Sequence, residues 1–397
     1  MIRVLRIINR FNLGGPTYNA ALLSAYLPKD EYETLLVGGD IDDSEESSFH
    51  ITDNLGLKPI IIPEMTRDID LKKDKIAYQK LKQIIREFKP DIVHTHASKA
   101  GTLGRLAASA CGVKVIVHTF HGHVFHSYFG KAKTILFKNI ERYLASKSTR
   151  IITISEKQKE EIGSIHKICS PDKIEIVPLG FDLSKFATNT DTKRKEFRSK
   201  YNLSDDTIAI GIIGRLVPIK DHDFFLEVVR NILHKSSKKL RFFIIGDGET
   251  RGSIEEKAKE LNLDFQTEKD QDYSASLVFT SWIKDADWAI AGLDIIALTS
   301  KNEGTPVSLI EAQASSRPVV STNVGGIENV VHNNVTGLLS PVGDLNLFTD
   351  NLNTLIDNDQ KRFVFGSKAK ENVIKKYHYQ RLVNDVDYIY KKLLKEC

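Results

Sequence analysis

Short apolar, β-branched runs recur along the chain, separated by stretches in which apolar residues return every three or four positions. The runs fall at residues 4–8, 34–37, 59–62, 91–95, 113–118, 151–154 and 173–177, then at 208–213, 241–245, 277–282, 295–299 and 318–321. Most are continuous, not alternating, which is how a strand covered on both faces of a parallel sheet reads. Helical spacing occupies 72–88, 221–233, 344–356 and 381–394. Strand and helix alternate throughout, so the pattern predicts an α/β fold of two Rossmann-like, doubly wound parallel sheets. A polar stretch after Asp182, reaching Asp206, interrupts the alternation as a partly helical linker, and a fresh strand opens at Thr207. A break at Tyr377-His378-Tyr379 sets off the last helix.

Composition narrows the class. The chain has 397 residues, 41% hydrophobic and 27% charged, enough for two ordinary cores and unlike a disordered or fibrous chain. A net charge of +4 is too mild to imply a nucleic-acid partner. The three cysteines, Cys111, Cys169 and Cys397, lack metal-site spacing and read as reduced thiols. Arginines interrupt the opening apolar run, so it is no signal peptide, and no run approaches the ~18 apolar residues of a membrane span. The expectation is a cytoplasmic protein.

Charge is uneven along the chain. From Lys99 to Arg150, nine basic residues face one acid, Glu141. Within that stretch, residues 128–147 read as an amphipathic helix on which Phe129, Ile135, Leu136, Ile140, Tyr143 and Leu144 share a face. Lys131, Lys133, Lys138 and Arg142 fall elsewhere on it. Such a helix suits an anionic membrane surface at the inner face of a plasma membrane. A core-facing helix with a solvated basic side fits the same pattern.

Candidate chemistry clusters where strands end. Asn302-Glu303-Gly304-Thr305-Pro306-Val307 follows the run 295–299 and opens a helical stretch containing Glu311. Open α/β sheets bind ligands at the carboxyl ends of their strands, and amides at a helix start can meet an anion or a hydroxyl. Two carboxylates there can accept the hydroxyl hydrogens of a ribose or hexose. Gly214-Arg215 ends the run 208–213, with Lys220 five residues on. A guanidinium fork and an ammonium point charge together suit a diphosphate. Gly14-Gly15-Pro16 follows the first run, and glycines there allow close backbone approach. Neither a dinucleotide Gly-x-Gly-x-x-Gly nor a Walker pattern is present.

Six histidines, His94, His96, His118, His121, His123 and His126, crowd the ends of two runs. A loop histidine there can hydrogen-bond a sugar or activate a hydroxyl. His94 and His96 also read as buried, hydrogen-bonded strand histidines. A zinc site is the rival reading, but no cysteine or acid is interleaved. Asp285-Ala286-Asp287 matches an Asp-x-Asp cation motif and equally a helix cap with a first-turn acid. No metal and no cofactor is expected.

Gly214-Arg215 with Lys220, Gly246-Asp247-Gly248, Glu303 with Glu311, and Gly325-Gly326-Ile327 occur in this order. On them the chain resembles the retaining glycosyltransferases of family four, with the GT-B fold. His121-Gly122-His123-Val124-Phe125 looks like bacterial members that build surface polysaccharides. The resemblance implies two Rossmann-like domains facing a central cleft. They would be residues 1–182 plus 378–397 on the acceptor side and 207–377 on the nucleotide-sugar side, joined by 183–206. It implies that Gly14 and Gly15 lie near the diphosphate and acceptor. His121 contacts the donor sugar near its 6-hydroxyl. Gly214 and Arg215 with Lys220 hold the diphosphate. Trp282 and Ile283 face the base. Gly304, Thr305, Pro306 and Val307 line the donor, with backbone N–H groups from all but Pro306, Glu303 binds the transferred sugar, and Glu311 binds the ribose. Two departures stand out: Asp221 follows Lys220 where many members carry glycine, and residues 264–276 are polar and irregular.

The implied reaction is metal-independent, retaining transfer of a hexose or N-acetylhexosamine from a nucleotide diphospho-sugar to a glycan or polyprenyl-linked hydroxyl. UDP is the preferred carrier on family frequency, with GDP open. A non-hydrolysing nucleotide-sugar 2-epimerase and a non-catalytic nucleotide-sugar-binding protein are the alternatives. The order of Gly214-Arg215, Lys220, Glu303 and Glu311 favours transfer.

Overall fold

The computed structural model describes every residue except 13, 42–46, 67, 123–130, 271 and 397, and the side chains of 131–133. The chain divides into two compact units, Met1–Phe181 with Lys376–Cys397, and Asp182–Lys375.

The first unit runs β1 (Ile2–Arg10), α1 (Gly15–Tyr26), β2 (Tyr32–Gly39), α2 (Phe49–Asn54), β3 (Ile60–Ile61) and α3 (Leu71–Phe88). It continues with β4 (Ile92–His96), α4 (Ser98–Ala110), β5 (Val115–Phe120), α5 (Lys131–Lys147), β6 (Arg150–Thr153), α6 (Glu156–Glu160) and β7 (Ile174–Ile176). Its seven strands pair in the order β3-β2-β1-β4-β5-β6-β7, every pair parallel. Every residue of β4 and β5 is buried, which is why these strands read as unbroken runs. The order reverses between β1 and β4, and such a switch point opens a crevice at the strands' carboxyl ends. Local signals set helix starts: the Asp70 carboxylate accepts from the amides of Lys72 and Lys73 at 2.9 and 3.1 Å and caps α3.

The second unit begins with α7 (Ser184–Ala187) and α8 (Thr190–Lys200), then β8 (Ile208–Ile213), α9 (His222–Lys235), β9 (Leu240–Ile245), α10 (Arg251–Glu260), β10 (Phe265–Thr267) and β11 (Leu277–Ser281). There follow α11 (Ala286–Gly292), β12 (Ile295–Leu298), α12 (Val307–Ala314), β13 (Val319–Thr322), β14 (Gly337–Ser340), α13 (Leu345–Asp357) and α14 (Asp359–Tyr377). Its parallel sheet has the order β10-β11-β9-β8-β12-β13-β14, with its switch between β8 and β12. The stretch 264–276 is not wholly irregular: β10 pairs with β11 at the sheet edge, and Phe265 packs edge-on against Phe279. Residues 183–206 are packed and belong with this unit. Arg194 and Arg198 reach Asp294 at 2.7 and 3.3 Å, and Phe197 is buried against Trp288.

The last helix, α15 (Tyr379–Glu396), completes the first unit. Leu382, Val383, Val386, Ile389, Tyr390 and Leu393 join Val4, Ile92, Val115 and Val117 in one core cluster. Helix α5 buries only part of the apolar face its pattern gives and leaves the rest outward. Leu144, Ala145 and Glu141 are buried, whereas Ile135, Leu136 and Tyr143 are 60%, 57% and 56% exposed. The reason is an ion pair: Arg105 on α4 bonds Glu141 at 2.8 Å and draws that edge of the helix onto the core. Among the described residues no helix is long and apolar enough to cross a membrane.

Candidate functional site

The second unit gathers the chemistry that the sequence spread over 90 or so positions. Strands β8 and β12 are neighbours at the switch point, so the loops after them lie side by side. Lys220, at the end of a 3-10 turn (Pro218–Lys220), reaches Glu303 Oε1 at 2.5 Å. Ser300 Oγ donates to the same oxygen at 2.6 Å. Thr299 Oγ1 fixes the Lys220 loop by donating to the carbonyls of Lys220 and Asp221 at 2.8 and 3.0 Å. Arg215 is exposed; its carbonyl accepts from the Val217 amide at 3.0 Å, while its guanidinium makes no hydrogen bond or ion pair among the described residues and stands open.

The Glu303 loop is shaped by contact with a second loop. The Gly326 amide donates to the Glu303 carbonyl at 2.9 Å. A Cβ on Gly325 would lie 1.9 Å from the Glu303 carbonyl oxygen, and one on Gly326 1.8 Å from that of Gly304. No side chain fits there. Gly304 and Thr305 lead into Pro306, the cap of α12, and Val307, its first residue. The opening amides of that helix have no intrahelical acceptor and carry the positive end of its dipole.

Glu311, one helical turn into α12, is half-buried. Burial pushes its carboxyl up to about 7, against the pull of Lys185, with Asp287 adding to the rise. Asp287 itself is held by Lys193 at 2.8 Å, and Asp285 caps α11 without a side-chain hydrogen bond. Trp282 is 61% exposed just past β11, followed by a half-buried Ile283. Ser281 before them has a left-handed backbone, φ 55°. Its Oγ donates to Asp247 Oδ2 at 2.7 Å, and its carbonyl accepts from Gly246 at 3.0 Å. Burial opposes the Asp247 charge, yet bonds from Ser281, Gly248 and Arg251 hold its carboxyl below the usual range.

Asp221 also has a left-handed backbone, φ 52°. This is where the family often has glycine, and the geometry gives the reason, since glycine enters that region without a Cβ clash.

In the first unit, Gly14 caps α1 and Gly15 begins it. His121 follows β5. Its Nε2 bonds His96 Nδ1 at 2.9 Å, and burial drives its pKa down to about 3. His94, His96 and His118 are fully buried and held neutral chiefly by burial. His123 and His126 lie outside the described residues, as do Val124, Phe125, Tyr128 and Phe129. No group of three or more metal-ligating side chains forms among the described residues.

Sequence reasoning singled out Lys220, Glu303 and Glu311, and the fold brings them to one end of one sheet. It did not find Thr299, Ser300 or Ser281. Hydroxyls at strand ends carry no pattern of their own.

Two family models match the chain: Glycosyltransferase Family 4 over residues 13–185 and Glycosyl transferases group 1 over 207–358. The chain belongs to glycosyltransferase family four. An Escherichia coli UDP-Gal:alpha-D-GlcNAc-diphosphoundecaprenol alpha-1,3-galactosyltransferase is 29% identical over 92% of this chain and 90% of that protein. The Staphylococcus aureus capsular polysaccharide biosynthesis glycosyltransferase CapM is 26% identical over 85% of each. Among solved structures, a Rickettsia africae glycosyltransferase aligns with TM-score 0.82 at 18% identity, covering 100% of this chain and 99% of its own. Anabaena HepE in complex with UDP aligns at TM-score 0.79 and 17% identity, covering 98% and 100%. The family member described here therefore has the GT-B fold and is a glycosyltransferase.

Proposed function

We propose that this glycosyltransferase moves a hexose or N-acetylhexosamine, with retention, from a UDP-sugar to a hydroxyl of a glycan or polyprenyl-linked acceptor in cell-surface polysaccharide synthesis. The observation that carries the reading is the convergence of Lys220, Glu303 and the free amides opening α12 at one switch point. Arg215 and Lys220 supply positive charge to the departing diphosphate, a role that needs no metal. Fixed charges aimed at developing charge are usually a leading rate contribution. Gly214 and the backbone of Gly304, Thr305, Pro306 and Val307 approach the phosphates and sugar. Glu303 accepts from the sugar hydroxyls, Glu311 from the ribose, and Trp282 with Ile283 faces the base. In the first unit, His121 hydrogen-bonds the sugar near its 6-hydroxyl, and Gly14 and Gly15 let the ligand approach backbone.

The acceptor oxygen bonds to the anomeric carbon on the face from which the diphosphate oxygen leaves, and that oxygen takes the hydroxyl proton. No side chain is needed as nucleophile. The E. coli relative uses a UDP-sugar and a polyprenyl diphosphate acceptor by name, and HepE was crystallised with UDP. Both support the UDP-sugar donor class, and the first supports the acceptor class.

The experiment is a mass-spectrometric screen of UDP- and GDP-sugars against N-acetylglucosaminyl-diphosphoundecaprenol and soluble glycans. The expected product gains one sugar with its anomeric configuration kept. An inverted anomer overturns retention, and C2 inversion without an acceptor overturns transfer.

The exposed Ile135, Leu136 and Tyr143 on α5, with Lys138 and Lys147 on the same helix, further support peripheral attachment to an anionic membrane at the cytoplasmic face. An apolar stripe edged by lysines gains from both acyl contact and anionic headgroups.

A further inference from the structure

The reaction proposed above uses one histidine, yet four are packed together in the first unit. The cluster has a definite hydrogen-bond direction. Arg6 on β1 is fully buried and can only donate. Its Nη1 lies 2.9 Å from Tyr390 Oη and 3.1 Å from His94 Nδ1. Tyr390 Oη, having accepted from Arg6, gives its own proton to His94 Nδ1 at 2.6 Å. His94 Nδ1 is therefore an acceptor. Its proton sits on Nε2 and goes to Thr119 Oγ1 at 2.7 Å.

His96 stacks on this neutral ring, centroids 4.3 Å apart. His96 Nδ1 then meets His121 Nε2 at 2.9 Å. On these two rings the outer nitrogens, His96 Nε2 and His121 Nδ1, have no partner among the described residues, as His118 Nε2 has none on its own ring. One proton lies between the two rings, so one of the outer nitrogens is a bare N–H and the other a bare lone pair. A buried lone pair is tolerated more readily than a buried N–H. The N–H therefore belongs where a ligand can complete it.

We propose that His96 is a positioning residue: its Nδ1–H donates to His121 Nε2, fixes the His121 ring, and leaves His121 Nδ1–H as the donor that meets the sugar. Arg6, Tyr390 and His94 form the rigid floor against which His96 stacks. This inference rests on the reading that His121 contacts the donor sugar.

The test compares the full-length protein with His96→Leu, His96→Asn, His121→Ala and the double variant His96→Leu/His121→Ala. The assay follows UDP release from UDP-galactose and UDP-N-acetylglucosamine with N-acetylglucosaminyl-diphosphoundecaprenol. His96→Leu and His121→Ala should each lower kcat by about 10- to 100-fold, with donor KM changing less than about threefold. The double variant should be no slower than His121→Ala, as expected for residues acting through one contact. Asn keeps an amide near the imidazole Nδ1, so His96→Asn should recover most of the loss. If His121→Ala is slow but His96→Leu is not, or if the two losses multiply, the His96 role is wrong while the His121 reading stands. If His121→Ala turns over normally, the His121 reading itself falls. Should His96→Leu fail to fold, the imidazole nitrogen spectrum of 15N-histidine-labelled wild type decides. A proton on His121 Nδ1 supports the proposal, and one on Nε2 overturns it.

Discussion

Lys220 Nζ and Glu303 Oε1 are 2.5 Å apart, so the cation proposed for the diphosphate and the acid proposed for the sugar hold each other. A second donor, Ser300 Oγ, sits on the same carboxylate oxygen. When a phosphate draws Lys220 away, Glu303 keeps its place through Ser300. Glu303→Gln is expected to lower kcat by about 10²- to 10³-fold, in the range for loss of one preorganised polar group. Lys220→Met should mainly weaken UDP binding. Initial rates and UDP titration calorimetry on folded variants check both, and near-normal turnover of Glu303→Gln would remove it from the site.

Glu311 makes stability depend on pH. Its carboxyl is raised from 4.5 to about 7, so the folded state prefers it neutral. The stabilisation is complete below about pH 4.5 and is lost as pH rises through 7. At about 1.4 kcal/mol per pH unit the span is roughly 3 kcal/mol. Glu311→Gln should therefore gain on wild type as pH rises from about 5 to 7, keep a constant lead above about pH 8, and converge with it below about pH 4.5. Melting curves at matched ionic strength test this, and a pH-independent difference contradicts it.

Much of the fold was legible because parallel strands buried on both faces leave continuous apolar runs. The strand at Ile208–Ile213 was read to the residue. β10 and β14 escaped because each lies at a sheet edge, short and partly polar or glycine-led. The burial of Glu141 on α5 escaped because its partner is 36 residues away, and helical periodicity knows only its own helix. The strand-turn-helix setting of Glu303 and Glu311 was legible. The hydroxyls that hold the site, Thr299 and Ser300, were not, because serine and threonine look the same in any turn.

Asp221 pays for its left-handed backbone, φ 52°. Its carboxylate recovers little through Lys301 at 3.0 Å, since that lysine is half exposed. Asp221→Gly should raise stability by about 0.5–1 kcal/mol, and Asp221→Val should lower it by more than ~1 kcal/mol. Thermal unfolding measures both, and equal melting of the three proteins would remove the backbone argument.

Gly325 and Gly326 predict a different failure. Alanine at either position places a methyl carbon within 2 Å of the Glu303 or Gly304 carbonyl oxygen. The Glu303 loop must move, and misplacement by about 1 Å can cost 10²-fold in rate. Gly252→Ala on α10 is the control, since nothing lies within 4 Å of its Cβ position and it has no part in the proposed site. Gly326→Ala should lose activity while circular dichroism stays native, and a fully active variant would dissociate the two loops.

Flotation with anionic liposomes tests the α5 face. Wild type should float at low salt, and Ile135→Glu with Leu136→Glu should leave the protein in the soluble fraction. Wild type that stays soluble would remove the attachment.

The order of manufacture follows from where α15 sits. Its residues 379–396 fill the core under β1, β4 and β5, yet they leave the ribosome after the whole of the second unit. A nascent chain stopped before Tyr379 would carry a finished second unit and a first unit still waiting for its keystone. Tyr390, which reaches back across 384 positions to Arg6, would be missing from the histidine cluster until synthesis had passed it.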